Sequence, residues 1–201
     1  MHETVDIITL AAHSNALRKD QGALRKRYRA DAPKEALVTD SAASAARADD
    51  SPMWGSVQVG ARGFGVTVPV GVHRAVGGRH DFPVPGDVLC AALAACVDTT
   101  IRIISNNLEI PLESLDVDVQ ADCDVRGTLL VDPSVRVGFA TMRVGVRAVP
   151  GPGVTPTQVE AVVRTAERCC VVLQTLKNGV DVAFQLDAGE GAETAERAGL
   201  D

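Results

Sequence analysis

Residues 83–109 constrain the fold of this chain most. Pro83, Pro85 and Gly86 break whatever precedes, and the residues from Asp87 to Ile110 contain neither Gly nor Pro and are rich in Ala, Leu and Ile. Such a run predicts a helix, with Leu89, Leu93, Cys96, Thr100 and Ile103 on one face. Asp87 falls in the first turn, where a carboxylate suits the positive end of the helix dipole. Asn106 and Asn107 close the run. Cys96 therefore stands mid-helix on a face that must be buried. Free cysteine is among the most buried residue types, so the plain reading is core packing.

Around this helix the chain divides into three parts. Residues 1–53 read as an amphipathic helix (1–30) followed by a linker (31–53) rich in Ala, Asp and Ser, without apolar period. The basic run Ala-Leu-Arg-Lys-Arg-Tyr-Arg in that helix reads as a solvated face. Residues 54–187 carry the domain, and 188–201 a Gly-, Ala- and Glu-rich tail. Within the domain, 56–61 and 65–70 alternate as two short strands joined around Arg62-Gly63. Residues 71–85 form a loop with His73, Arg74, Arg79 and His80, the kind of segment that carries functional groups.

After the helix, Leu115, Val117, Val119, Ala121, Cys123 and Val125 alternate with Asp116, Asp118, Gln120, Asp122 and Asp124, giving a strand with one wet face and Cys123 inward. The aspartate row reads as solubility, because residues two apart on a flat strand splay instead of encircling an ion. Residues 128–131 and 135–148 read as further strands, and 180–186 as a last one. Thr155, Pro156 and Gln158 open a second helix with a capping box, and Asn178-Gly179 ends it. On that helix Cys169 points to the centre of the apolar arc and Cys170 to its border. The fold class is α+β, a mostly antiparallel sheet with two principal helices and an N-terminal helical extension.

Composition narrows the function. At 201 residues the chain makes one domain with an extension. A net charge of -6 with 3% aromatic residues argues against nucleic acid or an anionic membrane as partner. No run reaches the apolar length expected of a membrane span. An acidic N-terminus is unlike a signal peptide. A cytoplasmic location follows as the expectation, with the five cysteines reduced at rest. Neither CxxC nor HExxH occurs, so no metal or other cofactor is expected.

The cysteines then invite chemistry. A reactive thiolate in an apolar site needs a cation beside it. Cys96 lies too deep in its helix for the N-terminal dipole to serve, since that effect fades within a turn. Cys90 is better placed for the dipole but lies about 240° from Cys96 around the axis. Of the adjacent Cys169 and Cys170, one reads as structural and one as reactive, since neighbouring cysteines bridge only with strain.

The run Pro-Gly-Asp-Val-Leu-Cys-Ala-Ala-Leu-Ala-Ala-Cys ending at Cys96, the strand after it, and Ala-Glu-Arg-Cys-Cys-Val-Val-Leu-Gln-Thr-Leu ending at Leu176 resemble the OsmC/Ohr family of thiol-dependent peroxidases. The resemblance covers about residues 55–186. It implies Cys96 as the peroxidatic cysteine. Cys170 becomes the resolving one, with Leu176 at the family's offset and Val171 in place of its proline. Arg74 becomes the arginine that holds thiolate and peroxide, with Arg62 and Arg79 as weaker candidates. Asp87 stands where the family has the glutamate that orients that arginine, one methylene shorter. It also implies an intertwined homodimer, with an organic hydroperoxide as substrate and a dithiol or protein as reductant. The rival is a non-enzymatic OsmC-like binding or stress-associated protein. A cysteine hydrolase or transferase, with His73 or His80 as base, is the third reading.

Overall fold

The computed structural model describes residues 7–30, 36–44, 51–60 and 66–186. In chain order the elements are α1 (Ile7–Ala30), β1 (Ala42–Ser44), β2 (Trp54–Val59), β3 (Thr67–Gly71), α2 (Pro85–Leu108), β4 (Leu112–Cys123), α3 (Val125–Thr128), β5 (Phe139–Pro150), α4 (Pro156–Cys169) and α5 (Val171–Asn178). β1, β2 and β3 form one antiparallel sheet, with Val57 opposite Val68, and β4 and β5 form a second. The α+β fold with antiparallel sheets is the one expected from the sequence. β1 is not: it lies within the stretch read as linker, and pairs Ala43 with Gln58. The 61–65 turn with Arg62, and the tail at 188–201, lie outside the described residues.

The β4–β5 hairpin builds one wall of the core. Val117 faces Val146 and Val119 faces Val144 across it, while Asp116 and Asp122 on the wet face pair with Arg147 and Arg143 at 2.8 and 2.6 Å. The aspartate row is thus partly a ladder of cross-strand ion pairs. Cys123 is exposed, not inward. It lies at the strand's end, past a register irregularity after Asp122 and beyond the residues that pack on α2. The strand expected at 128–131 is replaced by the single turn α3. Its cap is Asp124, which accepts a hydrogen bond from the Arg126 N–H at 3.0 Å, and the chain then turns through a left-handed Leu130.

α2 starts at Pro85 in the favoured first position, and Asp87 Oδ2 accepts from the Val84 N–H at 2.8 Å. It ends on a left-handed Glu109. Its buried stripe is Leu93, Val97, Ile101 and Ser105, spaced four apart. The face inferred from the sequence, through Leu89, Cys96 and Ile103, is rotated by one residue from this stripe, which is the one that packs on β4 and α4. Cys96 consequently sits at the stripe's edge, half-buried. At 24 residues α2 is long and apolar enough for a membrane span, contrary to the expectation. Its stripe instead packs with Leu115, Val162, Ala166 and Cys170 as the domain's core.

Two further expectations change. The second helix is two helices, α4 and α5, with Cys170 extended between them. Residues 180–186 form no strand, and Val180, Val182, Phe184 and Leu186 are all exposed. They pair with no strand among the described residues.

Candidate active site

The site arises from that helix break. The α4 start follows its sequence grammar: Thr155 Oγ1 accepts from the Gln158 N–H at 3.3 Å, and Gln158 Oε1 accepts from the Thr155 N–H at 2.8 Å. The helix stops at Cys170, whose backbone (φ -71°, ψ 113°) is extended. The Cys170 N–H closes α4 on the Ala166 carbonyl at 2.9 Å, and the Cys170 carbonyl accepts from the Gln174 N–H at 2.9 Å to open α5. Gln174 Nε2 reaches back to the Glu167 carbonyl at 2.8 Å, and Lys177 pairs with the Glu167 carboxylate at 2.6 Å. These bonds clasp the two helices across the break.

A new helix start leaves N–H groups without intrahelical partners. In α5 those groups act on sulfur. The Val171 and Val172 N–H groups lower the Cys96 pKa, and the Leu173 N–H lowers that of Cys170. The two thiols also act on each other, Cys170 lowering the Cys96 pKa and Cys96 raising that of Cys170. Cys96 comes from α2 and Cys170 from the α4–α5 junction, so the core packing that joins these helices brings the pair together. Thr100, one turn along α2, has its hydroxyl near both sulfurs and donates to the Cys96 carbonyl at 2.7 Å. Its single proton serves one acceptor at a time.

The two thiols are thereby set apart. Burial pushes the Cys96 thiol up, but the Val172 N–H, the Cys170 thiol, Thr100 and the Val171 N–H outweigh it, and its pKa lies below the ordinary thiol value. Burial also pushes Cys170 up. The Leu173 N–H opposes this, yet the neighbouring Cys96 adds to it, and the net shift is upward. The arrangement is a thiolate-prone sulfur beside a protonated one, at a helix N-terminus that favours negative charge.

The remaining sequence candidates lie elsewhere within the chain. The wheel assigned Cys169 the deepest position, but Cys169 is exposed and Cys170 is 0% exposed. The break at Cys170 resets the helical phase on which that wheel depended. Cys90 is half-buried, with a pKa raised by burial and then by Asp87. Asp87 and Arg74 are not joined to each other. The short Asp87 side chain folds back onto Val84 and lies 3.6 Å from His80 Nε2. Arg74 Nε donates to the Arg79 carbonyl at 3.1 Å. The loop holding them is tightly made: a Cβ on Gly78 would stand 2.0 Å from the Val72 carbonyl oxygen. His73 and His80 pack on each other with ring centroids 4.6 Å apart. Neither is among the groups acting on Cys96.

The sequence reading missed the α5 N–H groups and Thr100. A signal for the former was present. The family proline at the position of Val171 marks the first residue of a helix, where proline is favoured.

Fold and cysteine pair together define a class of small α+β protein with a thiolate–thiol pair at a helix start. A sequence model of OsmC-like proteins matches residues 78–185, more than half of the chain. The chain belongs to the OsmC-like family. An organic hydroperoxide resistance protein OsmC from Legionella pneumophila is similar in structure, with TM-score 0.53 and 21% identity over 72% of this chain and 93% of that one. An OsmC-like protein of unknown function from Vibrio cholerae gives 0.57 and 13% over 69% and 94%. An organic hydroperoxide resistance protein from Elizabethkingia anophelis gives 0.52 and 18% over 72% and 92%. A comparison with curated protein sequences gives no match.

Proposed function

We propose that this protein is a thiol-dependent peroxidase that reduces organic hydroperoxides. The observation that carries this reading is the contact between Cys96, poised toward thiolate, and Cys170, held as thiol. The Cys96 thiolate attacks one peroxide oxygen, the O–O bond breaks, and the alkoxide leaves and takes up a proton as alcohol. Cys96 is left as sulfenic acid. The Cys170 sulfur attacks it, water leaves, and a Cys96–Cys170 disulfide forms. A dithiol then reduces the disulfide by exchange. The apolar core residues beside Cys96, Val97 and Leu93 among them, favour alkyl peroxides over hydrogen peroxide.

The working unit in this reading is a homodimer. The exposed apolar residues of segment 180–186 support it, as does the position of Arg74 and Asp87 outside the groups that act on Cys96 in their own chain. Closing of the site by a second copy then brings Arg74 to the peroxide, with Asp87 as its support.

Intact mass and peptide mapping after one equivalent of cumene hydroperoxide test the reading. The expected result is loss of two hydrogens in a peptide linking Cys96 to Cys170. If all five thiols stay free, the peroxidase reading falls and a non-enzymatic OsmC-like binding protein takes its place.

A further inference from the structure

The disulfide just described has an access problem. Cys170 is 0% exposed, and Cys96 is half-buried against α5. A protein dithiol must bring its sulfur into line with the bond it breaks. The adjacent Cys169, by contrast, is exposed at the last position of α4, on the peptide that leads directly into Cys170. The break separates the two side chains, one turned to solvent and one to Cys96.

We propose that Cys169 is a relay thiol that carries the disulfide from the buried pair to the surface. The inference rests on the peroxidase reading and names its reductive half. The Cys169 thiolate attacks the Cys170 sulfur. A Cys169–Cys170 bond forms, the Cys96–Cys170 bond breaks, and the electron pair leaves on Cys96, which returns to thiolate. No net oxidation occurs in this step. An external dithiol then attacks the exposed Cys169 sulfur, Cys170 leaves as thiolate and is protonated, and the dithiol's second sulfur closes on the first. Cys169 and Cys170 are left reduced and the dithiol oxidised.

Two features favour the relay. The α5 N–H groups of Val171 and Val172 stabilise the Cys96 thiolate that departs, which makes it the better leaving group. The vicinal bond is itself short-lived. Neighbouring Cα atoms are about 3.8 Å apart, under the roughly 4.4–6.8 Å span of ordinary disulfides, so the bond is strained and easily reduced. It is therefore a transit state that the reductant drains, not a resting one.

The test compares wild type with C169S and C169A, and with C123S as a control for an exposed thiol outside the site. Each is oxidised by cumene hydroperoxide and, separately, by diamide, which closes the disulfide without peroxide. Re-reduction by a thioredoxin-type protein dithiol is then followed by acid quench and peptide mapping. The expected result is that re-reduction of C169S and C169A slows at least tenfold while C123S matches wild type. The rate of disulfide formation changes less than twofold in every variant. A minor wild-type species with Cys169 and Cys170 linked and Cys96 open to alkylation accompanies it. Re-reduction of both Cys169 variants at the wild-type rate overturns the relay, and so does a Cys96–Cys169 link as the main product. Failure of hydroperoxide alone, with diamide still closing the pair, sinks the peroxidase reading and leaves the relay step measurable.

Discussion

At the scale of single residues, the two cysteines of the pair differ by what surrounds them. Two backbone N–H groups favour the Cys96 thiolate, while Cys170 has the support of one and the Cys96 charge beside it. A thiol whose pKa is lowered is more ionised at neutral pH, and alkylation follows the thiolate. Cys96 is therefore expected to be carbamidomethylated by iodoacetamide well ahead of Cys90, whose thiol is raised by burial and by Asp87. The advantage shrinks as pH rises past the ordinary thiol value, because Cys90 then ionises too. Cys170→Ala removes one support of the Cys96 thiolate and is expected to slow Cys96 alkylation several-fold at neutral pH. Peptide mapping of a timed alkylation series reads both effects. Equal rates for Cys96 in wild type and C170A would show that the backbone donors alone set its reactivity.

At the scale of elements, the break between α4 and α5 decides the site. Cys170 already has the extended conformation that a following proline demands, and Val171 occupies the first helical position, where proline fits. Val171→Pro is accordingly expected to fold and to be stabilised by about 0.4–1 kcal/mol, read as a raised midpoint in urea. It also removes the Val171 N–H, the smallest of the supports to Cys96, so Cys96 alkylation slows slightly. Loss of folding would show that the backbone at Val171 is not free to take the ring. The elements that were legible beforehand were those with local grammar: α2 between its prolines and asparagines, α4 from Thr155, Pro156 and Gln158, and β4 from its alternation. The break was not legible in the residues themselves, since Val171-Val172-Leu173 continues the apolar spacing of α4 and no glycine or proline of this chain marks the interruption; only the proline that the resembled family has at the position of Val171 pointed to it. The same cause misplaced Cys169 and Cys170, because a helical wheel is valid only while the helix is unbroken. The strand expected at 128–131 failed for a different reason: Asp124 and Asp132 hold local turns there that outcompete β propensity.

At the scale of the whole molecule, segment 180–186 has a strand's alternation but joins no strand among the described residues. Val180, Val182, Phe184 and Leu186 are 69%, 82%, 93% and 85% exposed. Periodicity reports which side of a segment is apolar, not what covers that side, so the pattern at 180–186 was legible while its lack of a strand partner among the described residues was not. Four large apolar side chains in seven residues leave apolar surface in water that association removes, at about 25 cal/mol per Å². An extended segment also carries N–H and C=O groups able to add to a sheet edge. If two copies complete each other through this segment, charge placed on its apolar side opposes pairing without touching the cysteine pair. The double variant Val182→Asp, Phe184→Asp is expected to shift the protein from dimer to monomer in size-exclusion chromatography with light scattering. Closure of the site by the second copy makes a further demand: the monomeric variant reacts with cumene hydroperoxide at least tenfold more slowly, while diamide still links Cys96 to Cys170, since both belong to one chain. A monomer that keeps the wild-type rate with peroxide would place every group the reaction needs within a single chain, and Arg74 outside the reaction.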